Sequence, residues 1–339
     1  MMKELLKELC LENGVSGDES AVRELIISKV KDHCEYSVDP LGGLICFRKG
    51  RKNTEKKLMI CAHMDEVGFI VTYINNDGTL CFDEVGGVNT TVALGRQVRV
   101  GKKLTPGVIG STAVHNLSKE QREKAPEYPG MYIDIGARDR EEAMQHVMPG
   151  DCVYFDSEFT QLGSEIKSKA IDDRIGCAMM IRLIQEQPEY DTYFVFNVQE
   201  EIGLRGSGAS AFSVAPDIAI VLEATTAADI DGAEGANKVC CLGDGPVVSF
   251  MDRRTIYDKE LYELAFDTAK ELGIPCQTKS KIAGGNDAGA IHVSGKGVRT
   301  IAVSLPCRYL HSASCVIAEA DIEPSYQLVK RLSERIQEL

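Results

Sequence analysis

The chain has 339 residues, a net charge of −13, and 44% apolar and 26% charged residues. That length exceeds one usual domain, so two are expected. The acidity argues against nucleic acid or an anionic membrane surface as a partner, because phosphate binding wants a basic face.

No apolar stretch is long enough to span a bilayer. The opening residues, Met1 to Leu9, form a charged amphipathic pattern rather than a secretory signal. The cytoplasm is therefore the expected compartment. Helices are predicted over 2–12 and 18–33, where Leu5, Leu6 and Leu9, then Val22, Leu25, Ile26 and Val30, share faces. Gly14 and Gly17 punctuate them. Lys57 to Ala62 reads as a strand running into His63.

From Gly68 to about Ser164 the texture changes to short alternating strands, at 69–74, 79–82, 97–100, 131–135 and 151–155, with no long helical pattern between them. This is the pattern of a small all-β barrel or sandwich. The charged, Pro-bearing segment 119–129 reads as a mobile loop. From residue 170 the chain alternates. Helices are expected at 173–187, 204–213, 258–272, shortly after Gly285, and at 320–338, and strands at 192–198, 217–223, near 246–250 and at 298–305. The expected fold class is α/β, a mostly parallel mixed sheet with helices on both faces. An inserted all-β barrel domain at 67–165 would interrupt it, leaving 1–66 and 166–339 as one discontinuous domain.

Twelve cysteines could suggest disulfides. Cys61, Cys152 and Cys177 sit in apolar segments and no C-x-x-C pair occurs, so reduced thiols packed as small hydrophobes are expected. The neighbours Cys240 and Cys241 lack partners at ligand spacing.

Chemistry-bearing residues recur at strand ends in the α/β part. His63-x-Asp65 follows the strand at 57–62. Asp172-Asp173 precedes a helix, and either could be a plain N-cap. Glu200-Glu201 follows the apolar run Tyr193–Phe196. Glu223 is read as ending the strand at 217–223, and His311 comes just after the strand at 298–305. Each has an ordinary structural explanation alone. A parallel sheet, however, brings all its strand carboxyl ends to one edge. Imidazole with carboxylate and no Cys suits Zn²⁺, Co²⁺ or Mn²⁺ in an open site. More carboxylates than one ion needs points to two divalent ions.

The segments Ala62–Gly68, Ala170–Gly176, Val198–Gly203, Leu222–Asp229 and Arg308–Ser312 together resemble the dinuclear aminopeptidases that form tetrahedral particles, family 42 of the metallo class of peptidases. The resemblance implies roles. His63, Asp172 and Glu223 would hold one metal, and Glu201, His311 and the shared Asp172 the other. Asp172 is preferred over Asp173 as the bridge on motif alignment, and Glu or Asp is accepted at position 223. Asp65 would orient His63, and Glu200 would be the general base. The β insertion would be a PDZ-like dimerisation domain, and the partners would be peptide substrates and further copies of the chain, up to a twelve-subunit tetrahedron.

The loop Gly284–Gly289 would lie near the substrate, which makes Gly285 and Asn286 candidate substrate-binding residues. Helix capping by Asn286 or Asp287 is the plain alternative. Gly203–Gly208 fits neither the dinucleotide nor the phosphate-loop spacing and reads as a tight turn. His33, His115, His146 and His292 are not expected to be ligands. A glycoside hydrolase would need two carboxyls about 5–10 Å apart and no metal, and the chain has no Trp to stack a sugar. A non-catalytic assembly protein is the third reading. The preferred first residue of a substrate is not legible in the sequence.

Overall fold

The computed structural model describes residues 2–339. An eight-stranded mixed sheet runs in spatial order Glu35–Val38, Leu44–Arg48, Thr192–Asn197, Leu58–His63, Ile218–Thr226, Arg299–Cys307, Val247–Val248 and Gln277–Thr278. The four strands from Thr192–Asn197 to Arg299–Cys307 are mutually parallel. Two of them, Leu58–His63 and Ile218–Thr226, are buried along almost their whole length. Near-continuous apolar runs are what helix-covered parallel strands require. The helices Ile171–Glu186, Lys259–Leu272 and Glu319–Glu338 pack against this sheet. Register places Asn197 beside His63 and Glu223 beside Ser304. The parallel strands thus end along one edge, with the site residues on it.

The hairpin Glu35–Val38 with Leu44–Arg48 extends the sheet antiparallel to Thr192–Asn197. The sequence reading passed over it. Its turn is set by Asp39, whose carboxylate accepts from the Leu41 and Gly43 amides at 2.8 and 2.9 Å, an ordinary Asx turn.

The inserted segment is a closed antiparallel barrel of Gly68–Ile74, Leu80–Val85, Met131–Asp134, Thr105–Ser111, Gln97–Val100 and Cys152–Phe155. Closure leaves it no open sheet edge. Thr105–Ser111 was not expected, because Pro106, Gly107 and Gly110 disguise it as loop. Phe69 meets Phe82 and Phe155 edge-on at 5.2 and 5.3 Å inside a separate apolar core. Ala313, from the far end of the sequence, is buried in that same core. The segment 119–129 contains the helical turn Lys119–Arg122. Near its end Tyr128 donates to the Val88 carbonyl at 2.6 Å, which pins the segment to the barrel.

A small antiparallel sheet of Thr160–Leu162, Glu165–Ser168 and Cys315–Ala318 was also unexpected. It fastens the chain leaving the barrel to the segment just after His311. All twelve cysteines are free. Among the described residues no helix is long and apolar enough to cross a membrane.

Candidate metal centre and active site

The five distant segments converge. His63 closes its strand, Glu200 and Glu201 follow Asn197, and His311 follows the strand Arg299–Cys307. Glu223 lies inside its strand rather than at its end, three residues before Thr226. Asp172 and Asp173 separate in role. The Asp173 carboxylate accepts from the Gly176 amide at 3.1 Å, so it caps the regular helix. Asp172 has non-helical backbone angles and turns into the site. Each oxygen of its carboxylate faces a different imidazole: Oδ1 is 3.5 Å from His63 Nε2 and Oδ2 is 4.0 Å from His311 Nε2.

Around these atoms the carboxylates close in. Glu223 Oε2 lies 3.8 Å from His63 Nε2, and Glu201 Oε2 lies 3.2 Å from His311 Nε2. His63–Asp172–Glu223 and Asp172–Glu201–His311 each bring three ligand atoms within 4.8 Å of one another, and so does His63–Glu200–Glu201. Both rings present Nε2 to the site because Nδ1 faces an acceptor. His63 Nδ1 is 3.0 Å from the Asp65 carbonyl, and His311 Nδ1 is 3.0 Å from the Gly87 carbonyl. A carbonyl only accepts, so each Nδ1 carries a proton and Nε2 is the ring nitrogen turned toward the carboxylates.

Asp65 braces more than His63. Its carboxylate accepts from the Glu200 and Glu201 amides at 3.0 and 3.1 Å and from the Ser16 hydroxyl at 2.6 Å. One buried side chain thereby fixes the His63 turn to the Glu200 turn. Below it, Lys169 Nζ meets Glu66 Oε1 at 2.6 Å, and Arg174 Nε donates to the Met64 carbonyl at 2.8 Å. Backbone strain collects here. Ala170, Gln199, Tyr309 and His311 all have positive φ, and non-glycine residues held there cost on the order of 1–3 kcal/mol each, typically at functional sites.

The electrostatics show an excess of negative charge. Burial raises the carboxyls of Glu200, Glu201 and Glu223 well above the usual range, and neighbouring carboxylates add to it. Burial opposes protonation of His63, yet Asp172, Asp65 and Glu223 outweigh it and hold its pKa well above the usual value. Asp65 behaves oppositely. Burial would raise it, but the His63 ring, Ser16 and the Glu200 amide hold it below the ordinary carboxylate value.

Two imidazoles among crowded carboxylates fit a divalent cation set. Asp172 Oδ1 and Glu223 Oε1 are buried without a hydrogen-bond partner among the described residues, and buried oxygens of this kind need a donor or a cation.

The group opens on a cavity of about 670 Å³. Gly285 and Asn286 line it. Asn286 also accepts from the Ala288 amide at 3.0 Å and donates to the Tyr257 hydroxyl at 3.0 Å, so the capping role is present as well. Asp287 is buried instead and accepts from Asn197 Nδ2 at 2.8 Å. The turn expected at Gly203–Gly208 ends at Leu204, and from Arg205 the segment is helical; a Cβ at Gly206 would meet the Val198 carbonyl oxygen at 2.5 Å. Among the described residues, His33, His115, His146, His292, Cys240 and Cys241 join no ligand group.

Sequence reasoning missed five residues. Gly87 comes from the barrel and no ligand motif includes it. Ser16 sits in the turn before the second helix. Arg253, Arg254 and Lys279 line the cavity, and only the fold brings them to it.

Residues 42–328 match the M42 glutamyl aminopeptidase family. The chain belongs to that family. It is an aminopeptidase, a hydrolase of peptide bonds. It is 32% identical to the lysyl aminopeptidase of Pyrococcus furiosus over 344 residues, covering 98% of this chain and 97% of that one. The fold is similar to a TET aminopeptidase from a marine sediment archaeon of the Thaumarchaeota, with TM-score 0.95, 34% identity, and 99% and 96% of the two chains covered. It is also similar to the TET1 peptidase of Pyrococcus horikoshii, which can assemble into a tetrahedron or a large octahedral shell, with TM-score 0.86, 32% identity, and 98% and 99% covered.

Proposed function

We propose that this aminopeptidase works with two divalent ions, Zn²⁺, Co²⁺ or Mn²⁺, and removes the first residue of oligopeptides. His63, Asp172 and Glu223 would hold one ion, and Glu201, His311 and Asp172 the other. The observation that carries this reading is the Asp172 carboxylate, with one oxygen toward each imidazole. When bound, the ions would polarise the scissile carbonyl and make the attacking water more acidic.

The protein's own groups do the rest. Glu200 accepts a proton from the attacking water and returns it to the leaving amine. Asp65 holds the His63 ring and the Glu200 turn in one geometry. The anionic cluster offers partners to a free α-ammonium group, which restricts cleavage to the first residue.

Arg253, Arg254 and Lys279 line the same cavity, beside Asp252. A cationic wall in an acidic protein favours a first residue bearing a carboxylate. A sugar site is disfavoured, because the carboxylates crowd within 4.8 Å of shared imidazoles rather than standing across a sugar. The division into 1–66 with 166–339 and an inserted 67–165 is supported by two separate apolar cores. Self-association into dimers and a dodecamer is supported by the likeness to the TET1 peptidase.

The test is Glu200→Gln, assayed on an aminoacyl-anilide with metal content measured alongside. Loss of a general base typically costs 10²–10⁴-fold, so turnover should fall by about that factor while two ions stay bound. Near-normal turnover would remove Glu200 from this role, and activity unaffected by chelation would remove the metals.

A further inference from the structure

We propose that the barrel is a working part of the metal centre: Gly87 positions His311 through its backbone carbonyl, so the inserted segment sets the affinity of the ion on the His311 side. This rests on the dinuclear reading above.

Three contacts carry it. His311 Nδ1 is 3.0 Å from the Gly87 carbonyl, the hydrogen-bond contact that fixes its tautomer. Ala313, two residues on, is buried in the barrel's apolar core. Ser157, just past the last barrel strand, donates to the Ala313 carbonyl at 2.6 Å. The His311 loop is thus docked on the barrel as well as on the main core, where Leu310 packs and Arg308 pairs with Val316. His311 itself has φ of +55° and Tyr309 +59°. A loop held in this sparsely populated conformation needs outside contacts to stay there.

The approach is close. A Cβ built on Gly87 would stand 3.4 Å from His311 Nδ1 and 3.8 Å from Cε1. Beside it, Gly86 has φ of +85°, and a Cβ there would meet Glu201 Cβ at 3.3 Å. The two glycines let the barrel backbone lie against both His311 and Glu201. His63 differs, since its Nδ1 is served by the carbonyl two residues along its own chain. The two halves of the centre should therefore respond differently to the same change in the barrel.

Gly87→Val would press a branched side chain against the ring and displace it from the carbonyl. Partners that orient a ligating His typically change metal affinity 10–100-fold. In a Co²⁺ titration followed by visible absorption, Gly87→Val should weaken one of the two binding steps by at least about tenfold. The other step should stay within about twofold. In a His311→Ala background, which already lacks that ligand, Gly87→Val should add no further loss, since coupled residues are not additive. Gly87→Thr, whose branched side chain reaches beyond the ordinary contact a lone Cβ would make, should show the same pattern, and it serves if the valine variant does not fold.

Equal weakening of both steps, or an undiminished loss in the His311→Ala background, would overturn the proposal and make Gly87 a merely structural barrel residue. Two steps unchanged in both variants would overturn it as well, with the dinuclear reading intact. A wild-type protein that binds no Co²⁺ would sink the dinuclear reading and this inference together.

Discussion

The two histidines brought together at this site stand in opposite surroundings. His63 closes a buried central strand, and its side chain is 1% exposed; His311 sits on a strained loop, and its side chain is 39% exposed. His63 rests on Asp65, itself buried. His311 rests on a carbonyl of the inserted barrel. A rigid half is thereby set against a half assembled between two units. The difference teaches that a centre can be legible as a ligand list while its two ends depend on different parts of the fold.

The largest effect should come from the rigid half. Lys169→Met leaves the buried Glu66 carboxylate without its 2.6 Å partner. Breaking a buried pair from one side costs about 3–5 kcal/mol, measurable by urea unfolding of the metal-free protein. A loss below about 1 kcal/mol, the range of exposed pairs, would mean that the two halves do not differ in rigidity. His63→Ala compared with His311→Ala sharpens the same point. The first should destabilise the metal-free protein by far more than the second, because only His63 is fully buried among carboxylates.

Asp65→Asn should come next. It keeps the shape but weakens the contact to His63 and the acceptor for two Glu amides. Metal affinity should fall about 10–100-fold on the His63 side, read in the same Co²⁺ titration. Loss confined to the His311 side would contradict the arrangement described here.

The pH response follows from signs. Glu200, Glu201 and Glu223 have folded-state pKa values well above the ordinary 4.5, and His63 well above 6.5. In each case the folded form holds its proton more tightly. The stability from these groups is complete below the unfolded values and is lost as pH rises through the folded ones. Asp65 has the opposite sign, and its contribution is lost only as pH falls below about 3.8. The Tm of metal-free protein should therefore decline as pH is raised above about 4.5. Saturating Zn²⁺ should flatten or reverse that decline, because the ion replaces the protons. A metal-free Tm that climbs across this range would refute the charge assignment.

The smallest effect concerns specificity. Arg254→Ala should lower kcat/KM for a glutamyl-anilide by several-fold to tenfold, a coupling on the order of 1 kcal/mol for a partly solvated charge pair. It should leave an alanyl-anilide unchanged. An equal loss on both would take Arg254 out of substrate selection.

What the sequence made legible follows the same division. The placement of the rigid half was readable because strand and turn are contiguous: Leu58–His63 runs straight into Asp65, and Thr192–Asn197 into Glu200. Spacing alone did not separate Asp172 from Asp173, since two adjacent Asp residues look alike until the helix start is placed; only the family resemblance favoured Asp172, the one that turns inward. The barrel hid one strand behind Pro106 and two glycines. The Gly87 contact joins residues 224 positions apart, and no local pattern encodes it. Arg253, Arg254 and Lys279 were likewise unreadable, because only the fold turns them toward one cavity.

The central claim is that one carboxylate, Asp172, ties both halves together. Metal stoichiometry of wild type and Asp172→Asn, measured by elemental analysis after dialysis against Zn²⁺, tests it most directly. Two ions per wild-type chain, with tight binding at both positions lost in the variant, is the expected result. A variant that keeps two tightly held ions, or a wild type that holds only one, would contradict the account.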